Sequence, residues 1–375
     1  MKHSFALVIV AVAGTFGGTI SLAQADILIG VPGPLTGGMA WFGEQMQEGI
    51  GMKVAELNAA GGVLGQQIEL LPVDDYCDRD QAKAAAHKLV EARVDVVVGH
   101  FCSGAAIPAS SIYEEAGVLF MSSGATNPTL TAHGFRTVFR LAGRDTLQGT
   151  MAADQLAENW HAQNIAIVHD GQAYGLGVAE AARQRLRERG VSEVMFAAIE
   201  PRKTDYLDLI DQLQANGVDA LFFGGYAEEA GLIIRQARSR GYGVRMIGPD
   251  TLNTEFFGQV AGQASEGVLF PANPELRDKP EAAPLVARFR ANGYEPEGIT
   301  LQNYIVIQVW AEAVEKAGTL ELDAVIEALR THTFDTLFGT IGFDASGDVY
   351  GYDPFVWYIW KGGQYAPAEP ADLAD

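Results

Sequence analysis

From Asp26 onward, short apolar runs alternate with segments of helical period, and this alternation constrains the fold of the 375-residue chain more than any other feature. Parallel strands need a crossover of a dozen or more residues, usually a helix, so the pattern signals βαβ units. In the first series the spacing predicts strands over 27–31, 68–73, 94–99 and 118–121. Helical patterns cover 43–57 and 80–91, with a shorter one after Ser103. A second series begins after Gly143. It predicts helices over 145–159, 179–189, 205–214 and 228–240, and strands over 165–169, 194–199, 220–224 and 244–247. The alternation lapses at Pro271 to Pro274. Three consecutive helical patterns then follow, over 284–291, 301–317 and 322–329, and read as a return to cover the first lobe. A β-rich stretch over 341–360 comes last.

The predicted class is therefore α/β, with two doubly wound lobes joined by more than one crossing. Lobe 1 takes residues 26–144 and 274–349, and lobe 2 takes 145–273 and 350–365. Residues 366–375, polar and rich in Pro and Ala, read as a disordered tail. Ligands of open α/β sheets bind beyond the carboxyl ends of the strands, which places a site in the cleft between the lobes.

Residues 1–25 read as a secretory signal: Lys2 gives the positive start, 5–20 a small-residue apolar stretch, and Ala23-Gln24-Ala25 a cleavage site. Cleavage after Ala25 leaves 25 Lys and Arg against 47 Asp and Glu, a net charge near −22. So negative a field disfavours nucleic acid and anionic membrane surfaces as partners. Cys77 and Cys102 are the two cysteines of the chain. In an exported protein they are expected to pair.

Four strand ends carry residues suited to a ligand. Gly99 to Gly104 leads from an apolar strand into a short helix, and Ser103 stands where a helix N-terminus favours a carboxylate; equally, its hydroxyl serves to cap that helix. Ser122 to Pro128 is a second small-residue loop, in which Gly124 and Ala125 permit close backbone approach and Thr126 adds a hydroxyl. In the second lobe Tyr226 and Asp250 follow strands into the cleft. An Asp there can pair with an ammonium and a Tyr can close over an apolar side chain, although a turn cap and interlobe packing account for them as well. No Gly-x-Ser-x-Gly, phosphate-loop or His-Glu-x-x-His motif occurs, and the seven histidines lack ligand spacing. Gly171 to Gly177 follows a strand and opens a helix as a nucleotide loop does, but the Gly-x-Gly-x-x-Gly frame fails. The residues imply neither an enzyme nor a cofactor or metal.

At 73–78, 99–103, 123–128 and 165–170, and again at 223–226 and 247–250, the chain resembles the leucine/isoleucine/valine-binding proteins of bacterial ABC importers. The segments run in the same order over nearly the whole chain after residue 25. The resemblance implies a type I periplasmic binding protein with three interlobe crossings, near 143–144, 271–274 and 348–351. It also implies a free amino acid as ligand, no catalysis, and a membrane permease of an ABC importer as partner, for a monomeric periplasmic protein. It assigns the ligand carboxylate to Ser103 and Thr126, the ammonium to the carbonyl region of Gly124 and Ala125 and to Asp250, closure to Tyr226, and the side-chain border to Phe42 with Trp41 beside it. It also pairs Cys77 with Cys102. Two positions depart from the family: leucine-binding members carry Glu where this chain has Asp250, and Tyr or Trp where it has Phe42. An enzyme using one lobe for a nucleotide, a sensory module, and the same fold binding an amide, urea or aromatic acid are the rival expectations.

Overall fold

A computed structural model describes residues 26–374; the expected signal segment lies outside the described residues. The first lobe is built from β1 (Ile27–Gly33), α1 (Ala40–Ala59), β2 (Ile68–Asp74), α2 (Arg79–Glu91), β3 (Val96–Val98), α3 (Ser103–Ala116), β4 (Leu119–Ser122), α4 (Thr129–Ala132) and β5 (Val138–Arg140). Its strands form one parallel sheet in the order β2-β1-β3-β4-β5. Both faces are covered, as parallel sheets require. One face packs on α2 and α3 through Leu89, Ala106, Tyr113 and Phe120, and the other buries Ile29, Val98 and Met121.

The second lobe follows as α5 (Asp145–Asp154), β6 (Ile165–His169), α6 (Ala173–Glu188), β7 (Met195–Ala198), α7 (Leu207–Ala215), β8 (Ala220–Gly224), α8 (Ala227–Ser239), β9 (Arg245–Ile247), α9 (Glu255–Ala261) and β10 (Leu269–Ala272). After β10 the chain returns to lobe 1 with α10 (Ala283–Ala291), α11 (Thr300–Ala317) and α12 (Leu322–Thr331). A small antiparallel sheet follows, of β11 (Phe334–Thr336), β12 (Gly339–Phe343) and β13 (Val349–Tyr350). Ile305, Trp310 and Leu329 of the return helices join Ile29 and Val98 in one core, so these helices cover lobe 1 as their pattern implied. A last passage leads to β14 (Val356–Lys361), β15 (Gln364–Pro367) and α13 (Pro370–Leu373). The lobe 2 sheet runs β15-β14-β10-β9-β8-β6-β7, with β14 and β15 antiparallel to their neighbours. The chain thus passes between the sheets three times, after β5, after β10 and after β13.

The structure corrects several local expectations. Residues 366–375 were read as a disordered tail, but β15 adds an edge strand to β14 and α13 packs back on the lobe. Ala368 N donates to Trp357 O at 2.8 Å and Gln155 Nε2 to Leu373 O at 2.7 Å, while Ala368 and Leu373 rest against the core around Leu156 and Trp160. A polar, Pro-rich composition hides these contacts because backbone pairing carries them. β5 and β10 have no counterpart in the sequence reading: β5 is three residues long and ends in Arg140, and β10 contains Pro271. Helix α6 begins six residues earlier than its pattern suggested. Two of the glycines that imitated a nucleotide loop, Gly175 and Gly177, lie inside its first turns, where a Cβ at Gly177 would stand 2.5 Å from Asn127 Nδ2 of the other lobe. The helix predicted over 145–159 ends as a π-helical turn, Gln155–Asn159.

Cys77 and Cys102 are joined by a disulfide, with Cα atoms 5.4 Å apart. It ties the β2–α2 loop to the residue before Ser103. The chain-entropy estimate for a loop of this length is about 3.5 kcal/mol. A Cys77→Ala, Cys102→Ala variant is expected to lose about 2–4 kcal/mol in urea unfolding, and a loss under about 1 kcal/mol would remove the bridge from the determinants of stability.

Candidate functional site

The carboxyl ends of the parallel strands of both sheets face one another across a cavity whose walls come from both lobes and from the returning segment. Phe42, Phe101, Ser103, Gly124 and Thr126 line it from lobe 1. Tyr174, Tyr226, Asp250 and Asn253 line it from lobe 2, and Ile299 and Gln302 from the returning chain. Six of the eight expected ligand contacts are therefore at the cavity. Ala125 and Trp41 are not among its lining. Ala125 is fully buried, its N–H donating to Ser122 Oγ at 3.1 Å and its carbonyl accepting from Arg140 at 3.4 Å. Trp41 instead reaches across to Phe256 of lobe 2, with ring centroids 5.7 Å apart.

The Ser103 loop rests on a buried polar chain. His100 Nδ1 lies 2.7 Å from Asp75 Oδ2 and His100 Nε2 lies 2.9 Å from Tyr113 OH, with all three residues fully buried. His100 itself has φ 35°, a left-handed conformation uncommon for a residue with a side chain, and these two bonds hold it there. Ser103 is the first residue of α3, and its hydroxyl does not cap that helix. Its Oγ accepts from Asn127 N at 3.2 Å instead, linking the two small-residue loops and leaving the hydroxyl hydrogen for another acceptor. Gly124 is required by close approach, since a Cβ there would lie 2.4 Å from the Phe101 ring. Phe101 in turn stacks on Phe42 at 3.8 Å, so two aromatic rings border one side of the cavity. Thr126 Oγ1 is buried without a hydrogen-bond partner, as are Asn253 Oδ1 and Asn273 Oδ1 on the cavity wall. Buried polar atoms are normally satisfied.

On the lobe 2 side, Asp250 Oδ1 accepts from Tyr174 OH at 2.6 Å, and Asp250 N donates to Gln148 Oε1 at 2.8 Å. Burial pushes the Asp250 carboxyl up to about 6, against the lowering effect of Tyr174 and Gln148. Burial likewise raises Asp145 to about 8 and Asp170 to about 7, and holds Tyr174 and Tyr226 well above 10. This end of the cavity therefore holds negative charge or bound protons with no basic side chain among the described residues of its lining. Sequence reasoning missed Tyr174, which the Gly171 to Gly177 segment carried in plain view. It also missed Gln302, whose Nε2 donates to Ser123 O at 2.5 Å from a helix nearly 180 positions away.

The lobes meet around this cavity. Phe42, Phe101 and the disulfide pack with Tyr174 and Tyr226, and Asn127 Nδ2 donates across the cleft to Ala173 O at 2.7 Å. Two α/β lobes, three passages and a polar cavity closed between strand ends define a two-lobed solute-binding protein. The family model for periplasmic binding proteins matches residues 26–353, and the chain belongs to this family. It is 38% identical to the leucine-, isoleucine-, valine-, threonine- and alanine-binding protein of Pseudomonas aeruginosa, over 91% of each chain. Among solved structures it is similar to the leucine-binding protein LivK of Thermotoga maritima, with TM-score 0.84, 26% identity, and coverage of 92% of this chain and 99% of that one. The branched-chain amino acid transporter substrate-binding protein LivJ of Streptococcus pneumoniae, solved with isoleucine, gives TM-score 0.82 at 26% identity and the same coverage.

Proposed function

We propose that this protein captures a free amino acid, branched-chain or otherwise apolar, between its lobes in the periplasm and delivers it to the permease of an ABC importer. The observation that carries this reading is the polarity of one cavity between the lobes: hydroxyl groups of Ser103 and Thr126 at the lobe 1 end, the carboxylate of Asp250 at the other. Burying both charges of a zwitterion is costly unless each meets directed partners, so such a cavity selects compounds that carry both.

In this reading the ligand docks first on lobe 1. Ser103, with one lone pair already taken by Asn127 N–H, donates its hydrogen to the ligand carboxylate, and Thr126 adds a second donor. The Gly124 carbonyl and Asp250 take the ammonium, while Tyr226 and Phe42 enclose the side chain. Ala125 shapes the loop from behind and Trp41 joins the lobes on closure. Binding favours the closed form because only that form assembles both ends of the site. The relatives named for leucine, isoleucine and valine support a branched-chain ligand, and the Phe42 and Phe101 rings supply an apolar border for its side chain.

The test is a thermal-shift screen of the purified mature protein against amino acids, amides and aromatic acids. An amino acid at about 100 times its Kd should stabilise the protein by about 2.7 kcal/mol. Silence to every amino acid with a response to an amide or an aromatic acid would overturn the reading.

A further inference from the structure

Asp145, the first residue of α5 just past the passage from β5, is fully buried. It does not line the cavity, whereas Thr126 does. Its backbone N–H donates to Thr126 O at 3.1 Å, and its Oδ1 accepts from Gln148 Nε2 at 3.3 Å. Gln148 also accepts from Asp250 N, so one side chain spans from Asp145 to the ammonium end of the site. Asp145 Oδ2 has no hydrogen-bond partner, and neither has Thr126 Oγ1, although the Thr126 hydroxyl acts to lower the Asp145 pKa against the larger effect of burial. Two residues joined by a backbone hydrogen bond thus each carry a buried oxygen without a partner, and one of these oxygens belongs to a residue of the cavity wall.

The direction of a hydrogen bond between the two side chains decides what Thr126 can offer a ligand. If Asp145 is ionised, it takes the Thr126 hydrogen and leaves a lone pair facing the cavity, which repels a carboxylate. If Asp145 carries a proton, it donates to Thr126 Oγ1, and the Thr126 hydrogen is free to point at the ligand. We propose that Asp145 is a positioning residue that works as a neutral acid, donating to Thr126 so that the Thr126 hydroxyl donates to the ligand carboxylate. This rests on the reading of the cavity as an amino-acid site.

The surroundings favour the neutral form. Burial pushes Asp145 up to about 8, Asp250 adds repulsion, and Thr126 and Arg140 act in the opposite sense without overcoming burial. Tyr174 of α6 and Tyr226 ahead of α8 also face it, and neither is ionised near neutrality. Arg140 is committed elsewhere, its guanidinium bonded to Asp348, Thr131 and the carbonyls of Ala125 and Asn127. On the α6 side Gly177 presents only backbone, with its would-be Cβ 3.8 Å from Asp145 Oδ2. Because the bound state requires the proton, affinity is full below the Asp145 pKa and declines as pH rises through about 8.

Calorimetric titration with L-leucine between pH 7 and pH 9, on the wild type, Asp145→Ala and Asp145→Asn, tests this. The wild type should lose about tenfold more affinity over that interval than Asp145→Asn, whose amide donates at every pH. Asp145→Ala should weaken binding about fivefold or more at pH 7, and Asp145→Asn should restore it. The ammonium of the ligand titrates identically for all three proteins and cancels from the comparison. Parallel pH profiles for wild type and Asp145→Asn would overturn the proposal. Carboxyl 13C NMR of the ligand-free protein gives a decision that does not depend on leucine binding: a resonance missing in Asp145→Asn should remain protonated at pH 7, and an ionised one would overturn the proposal. Failure of the wild type to bind any amino acid would instead count against the amino-acid reading itself.

Discussion

Replacing Asp250 by alanine is expected to lower amino-acid affinity by at least about tenfold, because it leaves an ammonium buried without its counter-charge. Asp250→Asn keeps the shape and the Tyr174 hydrogen bond but not the charge, and should fall between the two. In the ligand-free cavity, burial lifts this carboxyl to about 6. An incoming cation favours the ionised form and lowers the pKa of the complex below that value. Affinity is therefore full above about pH 6 and declines as the pH falls through it, because the proton must then be expelled before the ammonium can be held. Calorimetry that finds the alanine variant binding as tightly as the wild type would remove Asp250 from the site.

The second large effect is expected in stability, at the hinge. Arg140 is fully buried, and Asp348 receives its Nε at 2.8 Å. The same carboxylate receives Arg144 Nε at 2.8 Å and the Thr131 hydroxyl at 2.9 Å. Burial opposes ionisation of Asp348, but Arg144 and Arg140 outweigh it and hold its pKa below the usual carboxylate value. Asp348→Ala strands a buried guanidinium and should cost about 3–5 kcal/mol in urea unfolding. Asp348→Asn, which still accepts a hydrogen bond, should cost less. The stabilisation that Asp348 contributes is fully present above its unfolded-state pKa, neutrality included, and is lost as the pH falls through the lower folded value, so its pH dependence shows in acid unfolding. A loss under about 1 kcal/mol in Asp348→Ala would show that water or another acceptor takes over the guanidinium.

The two sites share a loop. Arg140 donates to the carbonyls of Ala125 and Asn127 at 3.4 and 2.8 Å, behind Thr126. Asn127 in turn bonds Ser103 with its N–H and Ala173 with its side chain. The loop that faces the cavity is thus fixed from the hinge side by Arg140 and from the opposite lobe by Asn127.

The sequence alone determined the α/β class, both sheets in outline, the pairing of Cys77 with Cys102, and the strand ends where Ser103, Gly124, Thr126, Tyr226 and Asp250 emerge. These were legible because periodicity, helix and strand lengths and small-residue loops are local properties, written over a few turns of chain. Only the tertiary structure decided that Ala125 turns inward, that Trp41 lies against Phe256, and that residues after Gly363 add a strand. It also brought Tyr174 to Asp250, Gln302 to Ser123 and Asp348 to Arg140, pairs separated by 76, 179 and 208 positions. No local pattern specifies such pairs. They form because burying two distant elements together leaves their polar groups to find one another or remain unsatisfied.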